Sequence, residues 1–359
     1  MGRDADIVVV GAGIAGVATA RALAQSGRGV LLLEQFALGH AHGSSHGSSR
    51  IFRLSYPDAH YVRLAQGSLE GWRELEAECS EALIVNTGSL DFGPGRSENA
   101  RALSACGARY ELMSGAEVTA RFGLTAVPDE PALFQPEGGT LLADRAHSAF
   151  TAAARAAGAE IAEGARVTRL APERGGVRVS TGRDEIVTGA VVVTAGAWAA
   201  PLLAPAGIEL AVVPTRETVT YFDVPNASEL PSVMDEAVPS AVGYGLARPG
   251  QVTYALAAPG IGLKVGLHHA GPPASPDEPG APDEGVARWA SDWVTSRYPG
   301  ARPSATAPET CLYTNTADES FVLERHGRIV VGSACSGHAF KFAPALGRTL
   351  AALAREAAG

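Results

Sequence analysis

"DIVVVGAGIAG", residues 6–16, decides the fold. Ile7 to Val10 are consecutive apolar side chains, the mark of a strand buried on both faces. Gly11, Gly13 and Gly16 follow at the spacing G-x-G-x-x-G. A helix opens behind them, with Val17, Ala20 and Leu23 on one face. In such a strand–turn–helix unit the first glycine permits a tight turn. The second lets a pyrophosphate approach the backbone, and the third lets helix and strand pack closely. Ile14 and Ala15, at the helix N-terminus, then face the phosphates. A second apolar strand, 29–34, ends on Glu34. A carboxylate there accepts from ribose hydroxyls and repels a 2′-phosphate. The expected fold is α/β, with a Rossmann-like dinucleotide-binding core.

Similar buried strands recur in "AVVVTAG", 190–196, and "RIVVGS", 328–333. Ahead of the first of these, "RVTRL" and "VRVST" alternate like solvent-facing antiparallel strands. Residues 211–267 alternate short apolar runs with turns, which reads as a largely antiparallel sheet. Val62, Ala65, Leu69, Trp72 and Leu75 predict a helix over 62–78. An alanine-rich helix is expected over 145–157, and Leu346, Leu350 and Leu353 mark a closing one. Residues 271–284 read as a Pro-rich surface loop. The chain has 359 residues, too many for one ordinary core. The expectation is a cofactor domain built from 1–85, 143–213 and 311–359. A substrate domain of 86–142 and 214–310 is inserted into it, making the whole α+β.

Composition narrows the function. The net charge is −9 and no basic run appears, so a nucleic-acid partner is not expected. Residues 190–208 lack charge, but Gly196, Pro201 and Pro205 interrupt them; a buried strand and turn fits better than a membrane span. The four cysteines, Cys79, Cys106, Cys311 and Cys335, show no paired metal spacing, and no metal is expected. With no signal-peptide pattern at the N-terminus, the reading is a reducing, cytoplasmic protein. Of 29 basic residues only Lys264 and Lys341 are lysine. Two lysines in an arginine-dominated chain are candidates for work that a planar guanidinium does poorly.

The glycine loop alone does not choose between NAD and FAD. An NAD domain is normally one compact block. Here "VVVTAGAWA", with Ala195, Gly196 and Trp198, and "IVVGSACSGHAFKF", with Gly337, His338, Phe340 and Lys341, supply late strand-to-glycine turns. Such turns suit an FAD fold that closes over the flavin. "HGSSHGSSRIFRLSY", 42–56, carries Arg50 and Arg53, which could hold a carboxylate; a flexible polar loop is the alternative.

"DIVVVGAGIAGVATARAL", "HGSSRIFRLSYPD", "GIGLKVGLHH", "TCLYTNTADESFVLE" and "SGHAFKFAPALG" together resemble the monomeric sarcosine oxidase and N-methyltryptophan oxidase family, flavoenzymes of the D-amino-acid-oxidase superfamily. The resemblance runs end to end. It implies FAD attached through its 8α carbon to Cys311, with His46, Ser49 and Arg50 near the flavin. It implies that Arg53 and Lys341 hold a substrate carboxylate and that Lys264, over the flavin face, activates dioxygen. His268 would position substrate and tune proton transfer, and Tyr254 and Tyr313 would be active-site tyrosines. His269 reads as a surface residue. Read without the resemblance, Cys311 is a buried structural cysteine, and the tyrosines are packing.

The implied reaction oxidises the C–N bond of a secondary amino acid, N-methylated or cyclic, to an imine, with dioxygen reduced to hydrogen peroxide. The implied partners are a small amino-acid substrate and dioxygen, and the implied state is a monomer. "AFKFAPALGR" is also similar to the relative that makes picolinate for nikkomycin, which has tryptophan where this chain has His338. Two alternatives stay open. One is a tailoring oxidase for a cyclic imino acid of the piperideine-2-carboxylate or pipecolate type. The other is a dehydrogenase with a non-oxygen acceptor. Two departures from the family stand out: Ser45 replaces a frequent second histidine, and 215–250, expected to supply much of the substrate pocket, resembles it little.

Overall fold

The computed structural model describes residues 5–236, 251–333 and 335–359. The strand Ala5–Val10 lies within an eight-stranded sheet. Val30–Leu33 runs parallel on one side and Glu185–Val193 on the other, and Ile329–Ser333 extends the parallel set. Alternate side chains leave opposite faces of a strand. Ile7, Val9 and Leu32 turn toward the helices Ile14–Gln25 and Ala343–Ala358, while Val8, Val10, Leu31 and Leu33 join Leu170, Val177 and Leu203. Both faces are covered, so the strands read as unbroken apolar runs. A Cβ at Gly347 would stand 2.7 Å from the Ala18 backbone, so glycine sets how closely those two helices meet. Val167–Glu173 and Gly176–Thr181 form the antiparallel pair that their alternation predicts.

The second sheet has nine strands. It is antiparallel except where Ser232–Asp235 runs parallel to Ser89–Phe92. Helix Glu284–Arg297 packs against it through Trp293, Ala290 and Val294. Asp283 caps that helix, accepting from the amides of Gly285 and Val286. Beneath it, Asp235 Oδ2 accepts from Trp293 Nε1 and Arg297 Nε, each at 2.9 Å. A small sheet of Ser49–Phe52, Ile84–Val85 and Gly139–Leu142 carries Arg50.

Glu309–Asn315 pairs along its length with Val213–Asp223 in the second sheet. The boundary expected at 311 therefore falls inside a strand, because this strand completes the antiparallel sheet before the chain returns to the parallel one. Residues 237–250, part of the stretch expected at the substrate pocket, lie outside the described residues. Among the described residues no helix is long and apolar enough to cross a membrane; 190–208 folds as strand, turn and short helices.

Candidate active site

The carboxyl ends of the parallel strands open onto a cavity of about 1770 Å³, walled on another side by Tyr254, Leu256 and Lys264 of the second sheet. A crevice at the carboxyl ends of parallel strands is where open α/β sheets bind ligands. Gly11, Gly13, Ile14, Ala15 and Glu34 line it, as do Ala195, Gly196 and Trp198. His46, Ser49, Arg50, Arg53, Tyr254, Lys264, His268, Cys311 and Tyr313 line it too, with Gly337, His338, Phe340 and Lys341. Gly16 does not. It lies under the loop, where a Cβ would stand 1.9 Å from the Gly11 carbonyl oxygen.

At the glycine loop Gly11 adopts φ +95°, a conformation that favours glycine. Glu34 accepts from the Ala12 amide at 2.7 Å and the Phe36 amide at 3.0 Å. Burial raises the Glu34 carboxyl, but His40 and these two amides outweigh it and hold it below its ordinary value. Ser45 has a local use: its hydroxyl accepts from the Ile14 amide at 3.0 Å and so caps the first helix.

A second group surrounds Gly47. Arg50 donates to the carbonyls of Ser44 at 2.8 Å, His46 at 2.7 Å and Ser49 at 2.8 Å, which ties the Gly/Ser/His loop around one guanidinium. A Cβ at Gly47 would lie 3.6 Å from Arg50 and 3.7 Å from Lys264 Nζ. Burial, then the Arg50 charge, push the Lys264 ammonium down to about 7. Cys311 is a free, half-buried thiol. Burial raises it, and Arg50 and Lys264 pull the other way.

The third group joins Arg53 to Lys341. Lys341 Nζ donates to the Tyr56 hydroxyl at 2.9 Å and the His338 carbonyl at 3.0 Å. The Arg53 guanidinium sits over the Tyr56 ring, 4.3 Å from its centroid. Tyr56 thus touches both cations, and the sequence reading missed it although it stands inside a quoted block. Burial, then Arg53 and Arg50, depress the Lys341 ammonium well below its ordinary value. His268 is also depressed, first by burial and then by His269 and His338. Gly337, at φ +71°, lets this wall close up: a Cβ there would lie 2.2 Å from the Tyr313 ring and 2.7 Å from His268. Tyr254 and Tyr313 share a hydrogen bond, and burial raises both phenols.

The sequence pattern described as "FAD dependent oxidoreductase" matches residues 6–353. The chain belongs to the FAD-dependent oxidoreductase family. Peroxisomal sarcosine oxidase of Homo sapiens is 35% identical, covering 96% of this chain and 90% of that protein. Monomeric sarcosine oxidase of Bacillus sp. (strain B-0618) is 32% identical, covering 99% and 93%. Among solved structures, the open form of NikD, an amino acid oxidase essential for nikkomycin biosynthesis, has a TM-score of 0.85 at 30% identity, covering 99% of this chain and 94% of that one.

The residues of this FAD-dependent oxidoreductase fit the cofactor. His46 Nε2 and Ser49 Oγ are buried without a protein hydrogen-bond partner, and both residues line the cavity. The loop from Gly11 to Gly16, with Glu34, offers amides and a carboxylate to a dinucleotide. Two readings change. The Pro-rich loop is not merely surface: Asp277 accepts from Trp198 Nε1 at 2.8 Å and pairs with Arg166 at 3.2 Å, which brings Ser275 to Asp277 onto the cavity wall. No motif marks that contact, since it joins distant segments. His269 is half-buried, its ring centroid 4.0 Å from that of His268, and it pairs with Glu319.

Proposed function

We propose that this FAD-dependent oxidoreductase is an oxidase of a small secondary amino acid, N-methylated or cyclic. The observation that carries the reading is the cation pair Arg53 and Lys341 on the wall of a cofactor-sized cavity, both seated on Tyr56. Two cations on one phenol suit a single carboxylate, and a carboxylate held there presents the adjacent carbon to the cavity. Bound FAD supplies acceptance of the hydride from the carbon beside nitrogen and return of the electrons to dioxygen. His268, held neutral, can accept a hydrogen bond from the amine without repelling it. Tyr254 and Tyr313 close the same wall. Lys264 places a cation where charge develops on dioxygen.

The test is a panel of sarcosine, other N-methyl amino acids, L-proline, L-pipecolate and piperideine-2-carboxylate, mixed without oxygen. Bleaching of the flavin, followed by peroxide on admitting air, is expected with at least one. No bleaching with any member sinks the substrate class, and bleaching without peroxide favours a dehydrogenase.

Cys311 is proposed as the attachment point of FAD. Its thiol lines the cavity; burial raises it overall, and the charges of Arg50 and Lys264 offset part of that rise toward the thiolate, the attacking form. Acid-precipitated protein should stay yellow, and Cys311→Ala should release the colour to the supernatant. Colour lost equally from both overturns the attachment. The two-domain division, the monomeric state and a cytoplasmic place are part of the same reading. All three groups of the site lie within one chain, which supports a monomer.

A further inference from the structure

His268, His269 and Glu319 bring one donor atom each to within 4.8 Å of one another. His269 Nε2 stands 3.3 Å from Glu319 Oε1. Two donors on one tetrahedral zinc, each at about 2.0–2.1 Å, are separated by roughly 3.3–3.5 Å. That pair is therefore already at chelating distance, and His268 supplies a third side. The sequence places the glutamate 50 positions after His269 and 51 after His268, a spacing that no metal motif describes.

Two further observations point to a ligand. His269 Nε2 is buried, and its contact with Glu319 Oε1 at 3.3 Å is an ion pair that falls outside hydrogen-bond alignment. Among the described residues only five besides glycine have positive φ, and His269 at 54° and Glu319 at 61° are two of them. Backbone strain of this kind collects at ligand clamps. The turn carrying Glu319 is braced: its carbonyl lies 3.1 Å from His338 Nε2, and Thr316 Oγ1 donates to the Ser320 carbonyl at 2.9 Å. The Tyr313 ring packs edge-on against His269 at 5.7 Å. The His269–Glu319 pair is thus positioned before any ion arrives, and the His268 imidazole, within 4.8 Å, has to swing closer to complete the set.

We propose that His268, His269 and Glu319 form a site for a zinc-class divalent cation at the mouth of the cavity. Two imidazoles and one carboxylate suit zinc and disfavour magnesium or calcium, which prefer oxygen-only shells. The Glu319 side chain is 54% exposed and that of His269 26%, so the ion enters from solvent. His268 lines the cavity, so a bound ion takes its imidazole and narrows the approach to Lys341 and Arg53. The ion acts as an inhibitor of the site, not as a part of its chemistry.

The test uses the purified FAD-loaded protein and zinc ion in competition with a chromophoric chelator. One zinc per chain is expected for the wild type. Glu319→Gln and His269→Asn should each weaken binding by at least about 10- to 100-fold, since loss of even an outer-shell partner has that effect. Asparagine tolerates the left-handed backbone, so His269→Asn keeps a folded comparison. Zinc held instead by the free cysteines would bind both variants like wild type, and that result overturns the proposal. So does a wild type that takes up no zinc. Zinc should also slow wild-type turnover, reversibly on adding chelator, and not that of Glu319→Gln; bound zinc without slowing overturns the inhibitory role.

Discussion

Replacing Lys341 by methionine keeps the length of the side chain and removes its charge. In the wild type Nζ spends two donors on Tyr56 and the His338 carbonyl, which leaves one for a ligand in the cavity. A hydrogen bond to a charged group contributes about 1.5–3 kcal/mol. Its loss should weaken a simple carboxylate inhibitor by roughly 10- to 150-fold. The depressed ammonium adds a signature that a merely structural lysine would lack. Burial first, then Arg53 and Arg50, disfavour its charge, whereas a bound carboxylate favours it. Binding should therefore take up a proton. The ammonium is the binding form, so affinity should fall as pH rises, and Lys341→Met should lose that part of the slope. Titration calorimetry in two buffers of different ionisation enthalpy measures proton uptake directly. A methionine variant with wild-type affinity and wild-type proton uptake refutes the reasoning. Lys341→Arg should also bind poorly, because its planar head must fit against Tyr56 and Phe342, whose rings already flank Nζ at 5.6 and 5.4 Å.

Lys264→Met should be reduced by substrate but reoxidised by oxygen more slowly, which stopped-flow resolves into two half-reactions. Because the Lys264 ammonium is pushed down to about 7, wild-type reoxidation should slow as pH rises through its titration, while the variant stays flat; equal pH profiles reject the role. Tyr56→Phe keeps the ring under Arg53 and removes the hydroxyl that accepts from Lys341, so carboxylate affinity should drop several-fold, and the buried donor left without that partner should cost about 1–3 kcal/mol in denaturant unfolding. Gly16→Ala places a methyl 1.9 Å from the Gly11 carbonyl and should lower FAD content, read from the ratio of flavin to protein absorbance. Asp235→Ala leaves Arg297 with the Glu130 carboxylate and the Thr125 carbonyl and removes the acceptor of Trp293 Nε1; a loss of about 3 kcal/mol is expected in denaturant unfolding, and an unchanged midpoint would count against the network.

The glycine loop and Glu34 were legible because their work is local. Strand, turn and helix are neighbours in sequence: Gly11 takes φ +95° at the turn, and Gly16 stands against the Gly11 carbonyl five positions before it. The apolar runs at 7–10 and 190–193 were legible because burial on both faces leaves no alternation to misread. Composition picked out Lys264 and Lys341, and spacing picked out Arg53, but the particular roles of these three and of Cys311 came from block resemblance. Residue type and spacing alone left Cys311 as a structural cysteine. Tyr56 went unnoticed because its hydroxyl acts on a lysine 285 positions away.

By itself the sequence determined the parallel core, the dinucleotide loop and a chain whose strands return to that core in separate segments. Only the tertiary structure decided that Glu309–Asn315 closes the antiparallel sheet and so sets Cys311 beside Lys264. It alone tied the Pro-rich loop, still largely exposed, to the cavity wall through Asp277 and Trp198, and it alone set His269 against Glu319. The reason is physical. Periodicity and glycine placement record what each residue requires of its near neighbours, whereas a pairing across tens of residues depends on the register and docking of whole strands, which no single segment encodes.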